Sequence, residues 1–130
     1  MPHNILRPTQ LGILFLCFVS AVSVTVAAGT VGVNYGMLAN NLPAAVQVAQ
    51  LLLTTPLRNV KLYNADQATL QAFANTGITV AVGVTNNEIS LLAGSLTSAR
   101  SWVQTNVAAY MPATKFSHIV VGNEVLTVSP

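Results

Sequence analysis

Acidic side chains are nearly absent from this chain of 130 residues: Asp66, Glu88 and Glu124 are the only three. Any reaction that needs a carboxylate must draw on one of these positions. Cysteine occurs once, at Cys17, which excludes an internal disulfide and, once the leader described below is removed, a thiolate metal site or cysteine nucleophile. A domain without such staples depends on an apolar core. The five Lys and Arg residues form no stripe, so a pI of about 9.0 does not argue for nucleic acid as a partner. Nucleotide-binding loops of the G-x-G-x-x-G or G-x-x-x-x-G-K-[ST] type are absent; Gly32-Val33-Asn34-Tyr35-Gly36 comes nearest, with spacing unsuited to a pyrophosphate turn. No N-x-S/T sequon follows Ala28, and no metal-ligand spacing is visible. Neither a cofactor nor a metal is expected.

What the chain has in abundance is apolar residues, 52% of the total with a mean hydropathy of +0.60, too many for disorder and more than an ordinary soluble domain carries. Part of the excess is local. Met1 to Gln10 contains Arg7 and no acid, Leu11 to Val26 is an almost unbroken apolar run, and Val26-Ala27-Ala28 supplies small residues. Residues 1–28 therefore read as a secretory signal peptide cleaved after Ala28. The alternative is a retained membrane anchor over Leu11 to Ala28, which would just reach the lower limit for spanning, roughly 17 residues, but is weakened by Ser20, Ser23, Thr25 and the alanines. Cleavage removes Arg7, so residues 29–130 keep four basic against three acidic side chains, 4 − 3 = +1. The location expected is extracellular or cell wall.

From Gly29 the chain alternates two textures. Thr30 to Gly36, Asn59 to Asn64, Ile78 to Val84 and Phe116 to Val121 are short β-branched runs that predict strands. Between them, Ala44 to Leu53 after Pro43, about Asp66 to Asn75 before Gly77, and about Ser98 to Tyr110 before Pro112 predict helices. Strands separated by helices predict a parallel sheet, and Val- and Ile-rich strands predict that both its faces are covered. The fold class is α/β: an open doubly wound sheet, or about four β/α units forming the N-terminal half of a (β/α)8 TIM barrel. The barrel accounts for more, because the strands all end in polar or glycine residues where a barrel keeps its site: Asn34-Tyr35-Gly36, Tyr63-Asn64, Thr85-Asn86 and Asn123-Glu124.

Aromatic rings, amides and a carboxylate suit a sugar cleft, since pyranoses offer an apolar face for stacking and hydroxyls for hydrogen bonds. Glu124 is the carboxylate expected to carry chemistry, because ending a buried strand on one is costly without a purpose. In retaining glycoside hydrolysis one acid protonates the leaving oxygen while a second carboxylate, about 5–5.5 Å away, attacks the anomeric carbon. Asp66 and Glu88 each stand in the first turn of a helix, where capping is the expected role. Tyr35 and Tyr63 either stack on sugar or close the top of the sheet. Trp102 is expected to pack in the core, and His118 to be a packed or hydrogen-bonded ring rather than a ligand.

Val31-Gly32-Val33-Asn34-Tyr35-Gly36, Asn40-Asn41-Leu42-Pro43, Val60-Lys61-Leu62-Tyr63-Asn64, Trp102-Val103 and Val120-Val121-Gly122-Asn123-Glu124-Val125 resemble, in the same order, the plant endo-1,3-β-glucanases of glycoside hydrolase family 17. The resemblance implies a secreted (β/α)8 barrel that hydrolyses 1,3-β-glucans such as callose and laminarin with retention. For Glu124 it implies the general acid/base, and for Asn123 the asparagine that binds the sugar 2-hydroxyl; Tyr35 and Asn86 are further candidate substrate contacts. Two departures stand out. The family's nucleophile is a glutamate after the seventh strand, a role no residue of this chain takes, and Asn64 occupies a place where many relatives carry Asp.

Two classes of function follow as expectations. One is part of a working glycosidase, inactive on its own. The other is a non-catalytic β-glucan-binding or interaction module that self-associates through open strand edges. No nucleic acid partner is expected, and no membrane contact once the leader is removed, though a downstream lipid anchor stays open.

Overall fold

The computed structural model describes residues 31–128. The leader expected over residues 1–28 and its cleavage site lie outside them. The elements follow one another as β1 (Gly32–Tyr35), α1 (Ala45–Leu53), β2 (Asn59–Leu62), α2 (Gln67–Ala72), β3 (Thr79–Val84), α3 (Asn86–Gly94), α4 (Leu96–Asn106), a 3-10 turn (Ala108–Tyr110), β4 (Lys115–Val121) and α5 (Val125–Val128).

Three of the helices begin where the sequence supplies a side-chain acceptor for N–H groups at the start of the helix. Asp66 caps α2, its Oδ2 accepting the Thr69 N–H and hydroxyl, both at 2.8 Å. At α3, Glu88 reaches back to the Thr85 N–H at 2.8 Å, as in a capping box. Ser95 Oγ accepts the Ser98 N–H at 3.2 Å to start α4. The expected helix near Ser98–Tyr110 is thus α4, begun two residues early and ended at Asn106, with α3 as a separate helix before it. Ser95 alone divides the two, in extended geometry with φ −150°.

All strand pairs are parallel, in the order β1-β2-β3-β4. Sequence order and spatial order coincide, so the sheet has no reversal of the kind that defines a doubly wound fold. One face packs against the helices. Val60, Leu62, Val80, Val82 and Val84 share a buried core with Ala49 and Leu52 of α1, Leu70 of α2, the adjacent Phe73, and Trp102 of α4. Fully burying an aliphatic or aromatic side chain of this kind contributes about 1.5–3 kcal/mol. The expected core role of Trp102 is met.

The other face corrects the expectation of two apolar, covered faces. Along the parallel register Asn34 lies beside Lys61, Lys61 beside Ala81, and Ala81 beside His118, and the burial of β2 alternates residue by residue. On β3 this face carries Thr79, Ala81 and Gly83, the last buried against the Tyr63 main chain, and none of the three is a large apolar side chain. His118 is exposed there, not a packed ring, because β4 pairs only with β3 among the described residues and nothing covers that end of the sheet. A register shift between Val80 and Ala81 skips Ser117 and brings His118 onto this face.

Candidate active site

The carboxyl ends of the strands converge on a cleft of about 600 Å³ whose lining includes Tyr35, Met37, Tyr63, Asn64, Thr85 and Asn123. Tyr35 ends β1, half-buried and packed against the core. Tyr63 and Asn64 continue β2, and Thr85 continues β3. Asn123 stands two residues past β4. Four strands thus each deliver a polar or aromatic side chain to one end of the sheet, the side on which a barrel carries its site.

The loop after β4 is unusual in its backbone. Gly122 has φ +77°, and Glu124, which is not glycine, has φ +52°. A left-handed glutamate costs on the order of 1 kcal/mol and is held only by its surroundings. Two contacts hold it here. The Asn86 carboxamide binds the main chain of Asn123 on one side. On the other, the Glu124 carbonyl accepts the Thr127 N–H at 3.0 Å and the Thr127 hydroxyl at 2.8 Å. The Glu124 side chain is exposed at the mouth of this loop.

Asn86, expected as a sugar contact, spends its carboxamide on this loop. Asp66 and Glu88 are capping groups, as expected. Burial acts to raise the Glu88 carboxyl, but hydrogen bonds from the Thr85 hydroxyl, the Thr85 N–H and the Trp102 indole outweigh it and hold the group below its ordinary range. Trp102 Nε1 donates to Glu88 Oε1 at 3.0 Å, and Thr85 Oγ1 to Glu88 Oε2 at 2.7 Å.

Lys61, which the sequence reading passed over, contacts two residues of the cleft lining. Its Nζ lies 4.7 Å from the centroid of the Tyr63 ring and 3.4 Å from Asn123 Oδ1. The signal was present in Val60-Lys61-Leu62: a lysine between two core residues of a strand must face away from the core. Among the described residues no group of three His, Cys, Asp or Glu side chains could hold a metal ion. No helix among them is long and apolar enough to cross a membrane.

A parallel sheet in sequential order, helices on one face and a polar, aromatic cleft at the carboxyl ends of the strands define an incomplete (β/α)8 barrel. The chain belongs to the glycosyl hydrolases family 17, whose sequence model matches residues 31–129. It is 47% identical over 96 residues to Lichenase-2 of Hordeum vulgare, covering 74% of this chain and 30% of that protein. To the basic isoform of glucan endo-1,3-beta-glucosidase from Phaseolus vulgaris it is 45% identical over 98 residues, covering 75% of this chain and 28% of that one. Among solved structures, CJP38, a beta-1,3-glucanase and allergen of Cryptomeria japonica pollen, superposes with a TM-score of 0.72 at 41% identity, covering 75% of this chain and 30% of that chain. The chain spans between about a fifth and a third of the length of the relatives it matches, 34%, 28% and 22% for three of them.

Proposed function

We propose that this chain supplies the acid/base half of a secreted retaining β-glucanase, acting on internal 1,3-β-glucosidic bonds. The left-handed backbone of Glu124 carries the proposal. A strained residue persists where its surroundings over-determine it, and such residues gather at sites of binding and chemistry. Glu124 directly follows Asn123, which lines the cleft together with Tyr35, Tyr63 and Asn64. As general acid, Glu124 would protonate the glycosidic oxygen as the bond breaks, then deprotonate the water that completes the reaction. The tyrosine rings would stack on glucose, and the Asn123 carboxamide would bind a hydroxyl beside the reacting carbon. Relatives named for glucan endo-1,3-beta-glucosidase activity favour the 1,3 linkage, while the likeness to Lichenase-2 supports β-glucan as the broader substrate class.

The second carboxylate that retention requires is not available from Asp66 or Glu88, which are engaged in caps. The second reading is a non-catalytic β-glucan-binding module.

The test joins residues 31–128 to the carboxyl-terminal barrel half of the Phaseolus vulgaris relative and measures reducing ends released from laminarin. The joined protein should be active, and Glu124→Gln should lower its rate by about 10²–10⁴. Asp66→Asn and Glu88→Gln should stay within about tenfold of the parent. A comparable loss from either, with Glu124→Gln active, would move the catalytic role elsewhere. An inactive parent that still binds laminarin would favour the binding module.

A further inference from the structure

Lys61 belongs to β2, two strands away from the loop that follows β4, yet it touches that loop. Its ammonium lies over the Tyr63 ring at 4.7 Å, within the range at which a cation is attracted to a ring face. The same group is 3.4 Å from Asn123 Oδ1. The reach is possible because the intervening position of β3, paired with Lys61, is Ala81, and the next on that face is Gly83, neither of which blocks the side chain.

An ammonium can only donate, and of the two ends of a carboxamide only the oxygen accepts. Lys61 therefore decides which way the Asn123 side chain is turned. With Oδ1 drawn toward the cation, the Nδ2 hydrogens face away from it. The main chain of the same residue is already fixed by Asn86 at 2.9 and 2.7 Å, so the lysine removes the remaining freedom. At 3.4 Å the contact is long for a hydrogen bond, but attraction between a full charge and the carbonyl dipole acts at that separation as well.

We propose that Lys61 is a positioning residue that orients the Asn123 carboxamide so that the cleft meets a hydrogen-bond donor, selecting a sugar hydroxyl as acceptor. Tyr63 supplies a second attraction that keeps the ammonium in place. The ligand class rests on the β-glucan function proposed above; the Lys61 to Asn123 coupling does not.

Two measurements separate those parts. The first needs no ligand. The chain contains only two lysines, Lys61 and Lys115, so their ¹⁵N ammonium resonances serve as test and internal control. Lys61 should give a protected, shifted signal that moves toward that of exposed Lys115 in Asn123→Ala and in Tyr63→Leu. If the two lysines are indistinguishable in the parent chain, or Asn123→Ala leaves Lys61 unchanged, the positioning role is overturned. The second is calorimetric titration of the full chain with a linear 1,3-β-linked glucose tetrasaccharide. Lys61→Met should weaken binding about tenfold, one hydrogen bond's worth, and Lys61→Arg should restore most of it. In the Asn123→Ala background Lys61→Met should cost nothing further. Equal affinities for the parent and Lys61→Met, or additive losses in the double variant, would overturn the proposal while leaving the glucan reading intact. A parent that shows the ammonium signature but no tetrasaccharide binding would overturn the glucan reading and the ligand choice, leaving the coupling established.

Discussion

Asn86 holds the main chain of Asn123 at both polar groups: its Nδ2 donates to the Asn123 carbonyl at 2.9 Å, and its Oδ1 accepts the Asn123 N–H at 2.7 Å. The first residue of α3 is thereby tied to the loop that follows β4, 37 positions further along. Both bonds are exposed, so Asn86→Ala is expected to lower the unfolding free energy by only about 1–2 kcal/mol. The local effect should be larger than the global one. Exchange of the Asn123 N–H should accelerate well beyond what a urea titration of the same variant accounts for. If the two change in step, the loop has no support of its own to lose.

The loop also depends on a glycine. A Cβ at Gly122 would meet Val125 Cγ2 and, at 2.7 Å, Ile89 Cδ1, and the residue has φ +77°. Gly122→Ala should therefore cost about 1–2 kcal/mol from backbone conformation alone, with further loss as Ile89 is displaced. Gly36→Ala is the control, since no atom lies within 4 Å of its would-be Cβ; it should stay within about 0.5 kcal/mol of the parent. Urea midpoints measure both. Equal effects at the two glycines would mean that the turn at Gly122 is not confined in the way its surroundings indicate.

Glu88 gives stability a dependence on acid. Its folded pKa lies below the ordinary 4.5 because hydrogen bonds from Thr85 and Trp102 outweigh the effect of burial. The unfolded state therefore binds the proton more readily, and the Glu88 contribution is fully present above about pH 4.5 and fades as pH falls through the lower folded value. Glu88→Gln should reduce stability by about 1–2 kcal/mol near neutrality, the side chain being partly exposed, and the difference from the parent should shrink on acidification. Trp102 is the sole tryptophan and donates to this carboxylate, so its fluorescence should titrate with a midpoint below 4.5 in the parent and not in Glu88→Gln. A midpoint above that value would reverse the sign of the effect.

Much of this was legible from local chemistry. The four β-branched runs became the four strands, and Asp66 capped α2 as a carboxylate before Thr69 and Leu70 should. Gly77, the glycine expected just past the helix, has φ +76°, as suits a left-handed cap, and Asn75 has φ +58°. What escaped the sequence reading was contact over distance. The carboxamide of Asn86 looked free for sugar because nothing in its neighbourhood shows that residue 123 will use it. Small side chains hid the second face of the sheet: Ala81 and Gly83 satisfy an apolar pattern without covering anything. Ser117 at the register shift, which brings His118 to that face, leaves no mark in a run that reads simply as a strand.

The two outer strands determine how the chain should behave by itself. Among the described residues β1 pairs only with β2 and β4 only with β3, so each presents a row of unpaired backbone groups. Val31 at one edge is 65% exposed, and Ile119 and Val121 at the other are 40% and 62% exposed. Such edges promote association, and two copies could pair β1 of each with β4 of the other. Residues 31–128 should therefore elute in size-exclusion chromatography with an apparent mass that rises with concentration. Val121→Lys, which puts a charge on the β4 edge without touching the cleft lining, should shift the protein toward monomer. The same material should release no sugar from laminarin at any concentration, because copies joined edge to edge bring together only Glu124 and the capping carboxylates Asp66 and Glu88, whereas retention needs a free nucleophile beside the acid. A stable monomer insensitive to Val121→Lys would show that the edges are protected. Hydrolysis by the purified chain, abolished by Glu88→Gln or Asp66→Asn, would show that one of the capping carboxylates leaves its helix to act as the nucleophile.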